Sequence, residues 1–155
     1  MDEWKLPWSA SCLCGQVKMR VPAPPVVIMA CHCRGCQKLT SGPYSLTLML
    51  PESGFEVLEG ETERGALHRP ESQHHYCTRC KSWLYTTSPA LGGHVNFRPT
   101  MLEDASWIAP YLESCVSEKL PGVVSGAKHS FEQFPGPADY PSLAQGFARE
   151  GARPS

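Results

Sequence analysis

The chain has 155 residues and 41% hydrophobic side chains, which is enough for one domain with one modest core. A formal net charge of −1 and a charged fraction of 19% provide neither the basic excess of a nucleic-acid-binding protein nor an acidic tail. The 15 prolines and 13 glycines favour short strands and turns over long helices. We therefore expect a mainly β protein without a nucleic-acid partner.

The amino-terminal residues, Met1 to Lys5, lack the basic and apolar regions of a secretory signal. The most apolar early stretch, residues 26–30, is far shorter than the roughly 20 residues that a membrane-spanning helix needs. We therefore expect a cytoplasmic protein without membrane contact. In that compartment clustered cysteines usually indicate metal binding or catalysis, because thiols are kept reduced.

In chain order, residues 16–21 alternate polar and apolar side chains, which predicts a half-buried strand. Further short strands are predicted at residues 26–30, 44–49, 55–59, 66–69, 74–76, 82–86 and 95–98. One helical turn is predicted at 34–39. A short helix is predicted at 142–149, although Gly146 lowers its helix propensity.

The eight cysteines form three clusters and one isolated residue. They are Cys12 and Cys14; Cys31, Cys33 and Cys36; Cys77 and Cys80; and Cys115. A Cys-x-x-Cys turn directs two sulfurs to one point, and a Cys-x-Cys on an extended segment places both side chains on one face. A disulfide between the two cysteines of a Cys-x-Cys would be strained. We therefore predict that the seven clustered cysteines are metal ligands, whereas an isolated cysteine is more often a small buried residue.

Two cysteine pairs together supply the four ligands of a closed, tetrahedral zinc site. The natural pairing joins Cys12 and Cys14 with Cys77 and Cys80. Such a structural site would close a loop of roughly sixty residues, the situation in which a cross-link stabilises most. The alternative is a set of reduced, buried thiols that bind no metal.

The remaining trio, Cys31, Cys33 and Cys36, leaves one tetrahedral position open, as in catalytic zinc sites. Alternatively, a fourth protein ligand closes this second site. The candidates are His32, His74, His75 and Cys115. Thiolates also bind Cu(I), but zinc is the metal that we expect.

Three segments together resemble the glutathione-dependent formaldehyde-activating enzyme family, which also includes centromere protein V. They are residues 11–17, 31–42 and 77–80, within a resemblance that covers roughly residues 9–100. The resemblance implies an Mss4-like β fold with two zinc ions. It implies a structural zinc on Cys12, Cys14, Cys77 and Cys80, and a catalytic zinc on Cys31, Cys33 and Cys36.

On this basis residues 1–120 are expected to form the zinc domain, followed by an irregular, Pro/Gly-rich segment at 121–155. The sequence departs from the family pattern at three places. Lys81 replaces the glycine that usually follows the second Cys-x-x-Cys, and residues 98–104 match the family's Gly-x-x-Asp stretch only loosely. The family's later histidine and tryptophan are not evident around Tyr111 and Leu120. These differences concern the substrate more than the fold.

The family's reaction joins glutathione, a co-substrate, with formaldehyde, and its reversal is that of a carbon–sulfur lyase. We therefore expect a small-molecule thiol–aldehyde substrate, with Cys31, Cys33 and Cys36 at the catalytic centre. Three thiolates over-neutralise a zinc ion, so nearby cations such as Arg34 or Lys38 are expected to compensate. Arg34, Lys38 and Arg98 are candidates to attract the glutathione carboxylates, and the alternative for each is an ordinary solvated charge.

Two other functions remain open from the sequence. The first is a non-catalytic module that binds a thiol, a peptide or a protein, with both metals serving stability. The second is a redox or metal-buffering protein that uses its thiols directly. The Cys-x-x-Cys at Cys77 and Cys80 has no surrounding βαβ pattern, which disfavours a thioredoxin-like role.

Overall fold

The computed structural model describes residues 3–65 and 69–155, which form two β-sheets and two α-helices. The strands are β1 (Trp8–Ser11), β2 (Lys18–Val21), β3 (Val27–Cys31), β4 (Ser45–Pro51), β5 (Glu56–Glu59), β6 (Thr62–Gly65), β7 (Gln73–Cys77), β8 (Trp83–Thr87), β9 (His94–Phe97), β10 (Leu112–Ser114) and β11 (His129–Ser130). The helices are α1 (Arg34–Thr40) and α2 (Tyr140–Glu150). The prediction of a mainly β fold is confirmed.

The smaller sheet has the strand order β1-β2-β5 and is antiparallel. The larger sheet has the order β11-β10-β3-β4-β9-β8-β7-β6 over the described residues. Its neighbours are antiparallel except around β10, which runs parallel to both β3 and β11. The register of this parallel pair places Ser114 beside Cys31, so the end of β10 lies at the first residue of the cysteine trio.

Most of the predicted strands coincide with observed ones to within two or three residues, and the two predicted helical segments correspond to α1 and α2. The strands β1, β6, β10 and β11 were not predicted. β6 is an edge strand without a buried residue, so it lacks an apolar pattern. The predicted strand at 66–69 falls on residues 66–68, which lie outside the described residues.

The core lies on one face of β2 and along both β3 and β4. In β2 the alternation predicted from the sequence is realised, because Met19 and Val21 are buried while Lys18 and Arg20 are exposed. Fully buried apolar side chains of β3, β4, β9 and β10 continue this core. They include Val27, Ile28, Leu48, Leu50, Phe97 and Leu112.

The segment after residue 120 contains β11 and α2, and α2 packs against β3 through the buried Leu143 and Phe147. A Cβ added at Gly146 would lie 2.3 Å from the Tyr111 hydroxyl oxygen, so this close approach requires glycine inside the helix. The domain boundary near residue 120 stays a prediction. No helix in the described ranges is long and apolar enough to cross a membrane.

Candidate metal centres and the adjoining cavity

The first candidate metal centre brings together Cys12, Cys14, Cys77 and Cys80, whose sulfurs all lie within 4.8 Å of one another. The Cys12 and Cys14 sulfurs are 3.6 Å apart, and the Cys14 and Cys77 sulfurs are 3.8 Å apart. A tetrahedron of sulfurs around zinc, with Zn–S near 2.3 Å, has edges of about 3.8 Å. The donor set and its spacing therefore fit zinc.

Two turns aim these sulfurs. After Cys12 the chain reverses at Gly15, which adopts a φ of 79° and donates to the Cys12 carbonyl at 3.0 Å. The Val17 amide then donates to the Cys12 sulfur at 3.3 Å. Backbone amides directed at sulfur favour the thiolate form that binds metal.

The second turn begins at Cys77, at the end of β7, where the amides of Arg79 and Cys80 donate to the Cys77 sulfur at 3.4 and 3.5 Å. The Lys81 amide closes this turn on the Cys77 carbonyl at 3.0 Å. Lys81 adopts a φ of 62°, a left-handed conformation that favours glycine. The departure from the family pattern is thus accommodated by strain at one residue, and the turn itself is kept.

The second candidate centre consists of Cys31, Cys33 and Cys36, whose sulfurs also lie within 4.8 Å of one another. Cys31 ends β3, Cys33 caps α1 and Cys36 lies in its first turn, where its amide donates to the Cys33 sulfur at 3.3 Å. Hydrogen bonds from Cys33 and Cys36 lower the pKa of Cys31 to about 2. Contact with Cys31 and Cys33 raises the pKa of Cys36, because neighbouring sulfurs oppose a second negative charge.

A buried polar network lies beneath the trio. His32 is 0% exposed, and its Nε2 lies 2.7 Å from Glu113 Oε1 on β10. Burial alone would raise the pKa of Glu113, but hydrogen bonds from Ser130, Ser125, His32 and Lys119 lower it to about 2. An ionised carboxylate therefore holds the residue between Cys31 and Cys33.

The other candidates for a fourth ligand have hydrogen-bond partners of their own or fall outside the three-sulfur group. His74 Nδ1 lies 2.8 Å from the Thr86 hydroxyl, and His75 Nε2 lies 3.0 Å from the Thr87 hydroxyl. Cys115 is buried beside the trio, and burial together with the charge of Cys31 raises its pKa to about 12. Within the described ranges, the group of mutually close sulfurs contains three cysteines and not Cys115.

The trio borders a cavity of about 230 Å³. Its lining also includes Met29, Ser45, Thr47, Met49, His74, Trp83, Thr86, Asn96, Arg98, Ser114, Phe134, Pro135 and Tyr140. Among the lining residues that the structure describes, none belongs to the four-cysteine centre. The three-cysteine group therefore opens on space for a small molecule, whereas the four-cysteine group, whose Cys14 is exposed, does not border this cavity.

Two arginines line this cavity, the exposed Arg69 and the buried Arg98. Of the cations predicted from the sequence, Arg98 is the one that lies there. It is 7% exposed, and its guanidinium carbon lies 3.9 Å from the centroid of the Trp83 ring. Its Nη1 donates to the Leu46 carbonyl at 3.0 Å and to the Thr47 hydroxyl at 2.9 Å. Burial lowers the pKa of Arg98 to about 10, although the charges of Cys36 and Cys31 oppose that shift. The group therefore stays charged near neutral pH.

The two other predicted carboxylate-binding cations lie elsewhere. Arg34 and Lys38 are exposed on α1 and border a shallow depression together with Gln37, outside the lining of the cavity. Arg34 hydrogen bonds to the Gln37 side chain. The three cations that the sequence analysis proposed for one substrate therefore lie at two places, with Arg98 in the cavity and Arg34 and Lys38 outside its lining.

Several cavity residues carried no signal in the sequence. Phe134 and Tyr140 come from the carboxy-terminal segment, and Trp83 and Met29 are ordinary strand residues until the sheet is assembled. Glu113 was not singled out, because a lone glutamate gives no indication that it is buried. Only the parallel pairing of β10 with β3 brings it to His32.

The mainly β fold and the two sulfur groups define a metal-binding protein whose candidate ligands are all cysteines. The family model for the glutathione-dependent formaldehyde-activating enzyme matches residues 7–118. The chain therefore belongs to this family, as its cysteine clusters predicted.

A crystal structure of a protein from Rhodobacter sphaeroides is similar in fold, with a TM-score of 0.52 and 13% sequence identity. The similarity covers 79% of this chain and 98% of the other. No curated protein matches the sequence significantly.

Proposed function

We propose that this protein binds two zinc ions and catalyses the making and breaking of the carbon–sulfur bond between glutathione, or a similar thiol, and an aldehyde such as formaldehyde. The observation that carries the proposal is the cysteine trio, which borders a cavity that also contains a buried cation. Family membership supports glutathione and formaldehyde as the reactants. A cytoplasmic location belongs to the proposal, because a reducing compartment keeps the thiols available for metal.

Cys12, Cys14, Cys77 and Cys80 would hold the structural zinc, and Cys31, Cys33 and Cys36 the catalytic one. A zinc ion with an open position supplies Lewis acidity toward a thiol or a carbonyl oxygen. In the forward direction the thiol sulfur bonds to the aldehyde carbon, and the thiol proton passes to the carbonyl oxygen. The reverse reaction cleaves the same bond and returns the proton to sulfur.

The chain's own contribution is to bind and orient the adduct. Within the described part of the chain, the buried Arg98 Nε and Asn96 Oδ1 have no hydrogen-bond partner, although both residues line the cavity. An unpartnered buried donor is unfavourable, and a substrate carboxylate would satisfy the arginine. We assign Arg98 to this role. A role for Arg34 and Lys38 at the same substrate stays a prediction, because they lie outside the cavity lining.

The buried guanidinium also acts on the trio. Three thiolates and one zinc ion carry a net negative charge, and Arg98 supplies a nearby positive charge in a poorly solvated place. This charge, rather than that of the exposed Arg34 or Lys38, is the compensation that the cavity offers. Arg98→Met is expected to raise KM for the adduct and to lower kcat, because both binding and charge balance are lost.

Steady-state turnover of glutathione with formaldehyde tests the proposal, measured against the uncatalysed background. Cys33→Ser is expected to reduce the rate to that background. Cys115→Ser is the matched control, because it removes a neighbouring buried thiol outside the sulfur group and should keep most of the activity. Equal rates for wild type and Cys33→Ser would refute a catalytic trio.

A further inference from the structure

The family model matches the chain up to residue 118, but residues beyond 118 also line the cavity at the cysteine trio. Phe134, Pro135 and Tyr140 line it from the segment that follows the match. Resting on the proposed function, we propose that this segment forms a specificity wall that selects thiol adducts of aldehydes with an apolar substituent. Specificity wall here means Phe134, Pro135 and Tyr140.

The wall is anchored on the trio side by backbone hydrogen bonds. The Cys115 amide donates to the Gln133 carbonyl at 2.8 Å, and the Val116 amide donates to the Phe131 carbonyl at 3.1 Å. The Phe131 amide in turn donates to the Glu113 carbonyl at 3.0 Å. The chain leading into Phe134 is therefore fixed to β10 and to the turn after it.

The wall is anchored on the other side by α2. Tyr140 is the first residue of this helix, and the buried Leu143 and Phe147 dock the helix on the core. The turn before it is closed by the Asp139 amide, which donates to the Gly136 carbonyl at 2.9 Å. Both ends of the wall are therefore held in place, and a fixed wall can discriminate between substrates.

The wall also contacts Arg69, another residue of the cavity lining. Phe134 is 48% exposed, and the Arg69 guanidinium carbon lies 4.8 Å from the centroid of its ring. Arg69 precedes β7 and lines the same cavity. Tyr140 is partly buried and lines the cavity together with the three cysteines.

Size and chemistry indicate the substrate class. The cavity of about 230 Å³ is far larger than a one-carbon aldehyde. The wall and the neighbouring Met29, Met49 and Trp83 present apolar and aromatic faces. Since the reacting carbon has to lie at the trio, a substituent on that carbon shares the cavity with these faces. Formaldehyde has no such substituent, so an aldehyde with a branched alkyl group gains contacts that formaldehyde does not.

Calorimetric binding of two unreactive thioethers, S-methylglutathione and S-(3-methylbutyl)glutathione, to the zinc-loaded protein tests this proposal without requiring turnover. We expect the wild type to bind the branched thioether about tenfold more tightly, as for a substituent that enters an apolar pocket. Phe134→Ala should abolish this preference, and Phe134→Leu should keep part of it. Gln133→Ala is the matched control, because its exposed side chain lies next to Phe134 but outside the lining.

Equal binding of the two thioethers by wild type, no binding of either, or an unchanged preference in Phe134→Ala would overturn the specificity wall. Circular dichroism checks that Phe134→Ala is folded, which its exposed position favours. Turnover of glutathione with formaldehyde and with 3-methylbutanal is measured in parallel. A thioether preference without turnover of either aldehyde would refute the proposed function and leave the wall standing. Turnover of the aldehydes without a preference between the thioethers would support the proposed function and refute the specificity wall.

Discussion

The two cysteine centres use the same ligand chemistry in opposite surroundings. The four-cysteine centre is made by two turns, its Cys77 sulfur accepts backbone amides, and Leu13 beside it is 86% exposed. The three-cysteine centre lies between β3 and α1, above the buried pair of His32 and Glu113, and it borders a cavity. A full ligand set needs no space around it, whereas an incomplete set is useful only where a molecule can reach it.

We therefore expect the four-cysteine centre to stabilise the fold and the three-cysteine centre to serve the reaction. Loss of the four-cysteine centre should unfold the chain, and loss of the three-cysteine centre should mainly remove chemistry.

The largest effect is expected from Cys77→Ser, which removes a fully buried ligand of the four-cysteine centre. A structural zinc contributes on the order of 10 kcal/mol to folding, which is comparable with the total stability of a domain. The variant should therefore be largely unfolded at room temperature, as measured by circular dichroism and tryptophan fluorescence. Cys33→Ser is the matched comparison and should remain folded. If both variants unfold alike, the division between the two centres is wrong.

The next effect concerns the support beneath the trio. Glu113→Gln removes the charge that accepts hydrogen bonds from His32, Lys119 and two serines, and it should lower the free energy of unfolding by about 3 kcal/mol. The measurement is urea denaturation at pH 7. Glu118→Gln is the control, because Glu118 is exposed and a glutamine oxygen can still accept the hydrogen bond from the Arg34 amide, so stability should change little.

The same pair of proteins gives a pH test. The pKa of Glu113 is lowered to about 2 from 4.5, so its stabilising effect is complete above pH 4.5 and is lost as the pH falls toward 2. The stability difference between wild type and Glu113→Gln should shrink across that window. Acid also releases metal from both proteins, so the difference is read at pH values where zinc analysis shows that both are still loaded. A constant difference would show that Glu113 is not the ionised acceptor.

Much of this molecule was predictable because its determinants are local. The spacing of the cysteines identified both sulfur groups, since a short turn or an extended segment fixes where neighbouring sulfurs point. The alternation in β2 revealed Met19 and Val21 as buried residues. Arg98 was named from the sequence as a carboxylate-binding candidate, but its burial, like that of Glu113, depends on partners far along the chain. Phe134 and Tyr140 reach the trio only after α2 has docked.

A fourth prediction compares how fast the two centres lose metal. A chelator should extract one equivalent at least about tenfold faster than the other, because the trio opens on the cavity and the four-cysteine centre has no open position. Metal release is followed with a colorimetric chelator and total zinc by atomic emission. Cys36→Ser should remove the fast phase and spare the slow one. A single phase in the wild type would mean that the two centres are equally closed.

The smallest effect is expected at Lys81, whose left-handed backbone costs a non-glycine residue roughly 1–2 kcal/mol. Lys81→Gly should relieve this strain. Glycine's extra freedom in the unfolded chain offsets part of the gain, as does loss of the exposed ion pair with Glu63. We expect a net stabilisation of about 0.5 kcal/mol by thermal denaturation. Lys81→Ala keeps the strain and loses the ion pair, so it should not stabilise; equal gains for both variants would argue against strain at this turn.

The order of assembly follows from where the ligands lie along the chain. The trio is complete within residues 31–36, whereas the other centre needs Cys12 and Cys80 to meet. Closing the longer loop costs about 2 kcal/mol more in chain entropy. A nascent chain can therefore capture its first ion at the trio, well before the last ligand of the distant pair has been synthesised. If both groups bind metal as proposed, the trio is the first that can be filled as the chain is made, and the metal supply during translation then affects how the protein matures.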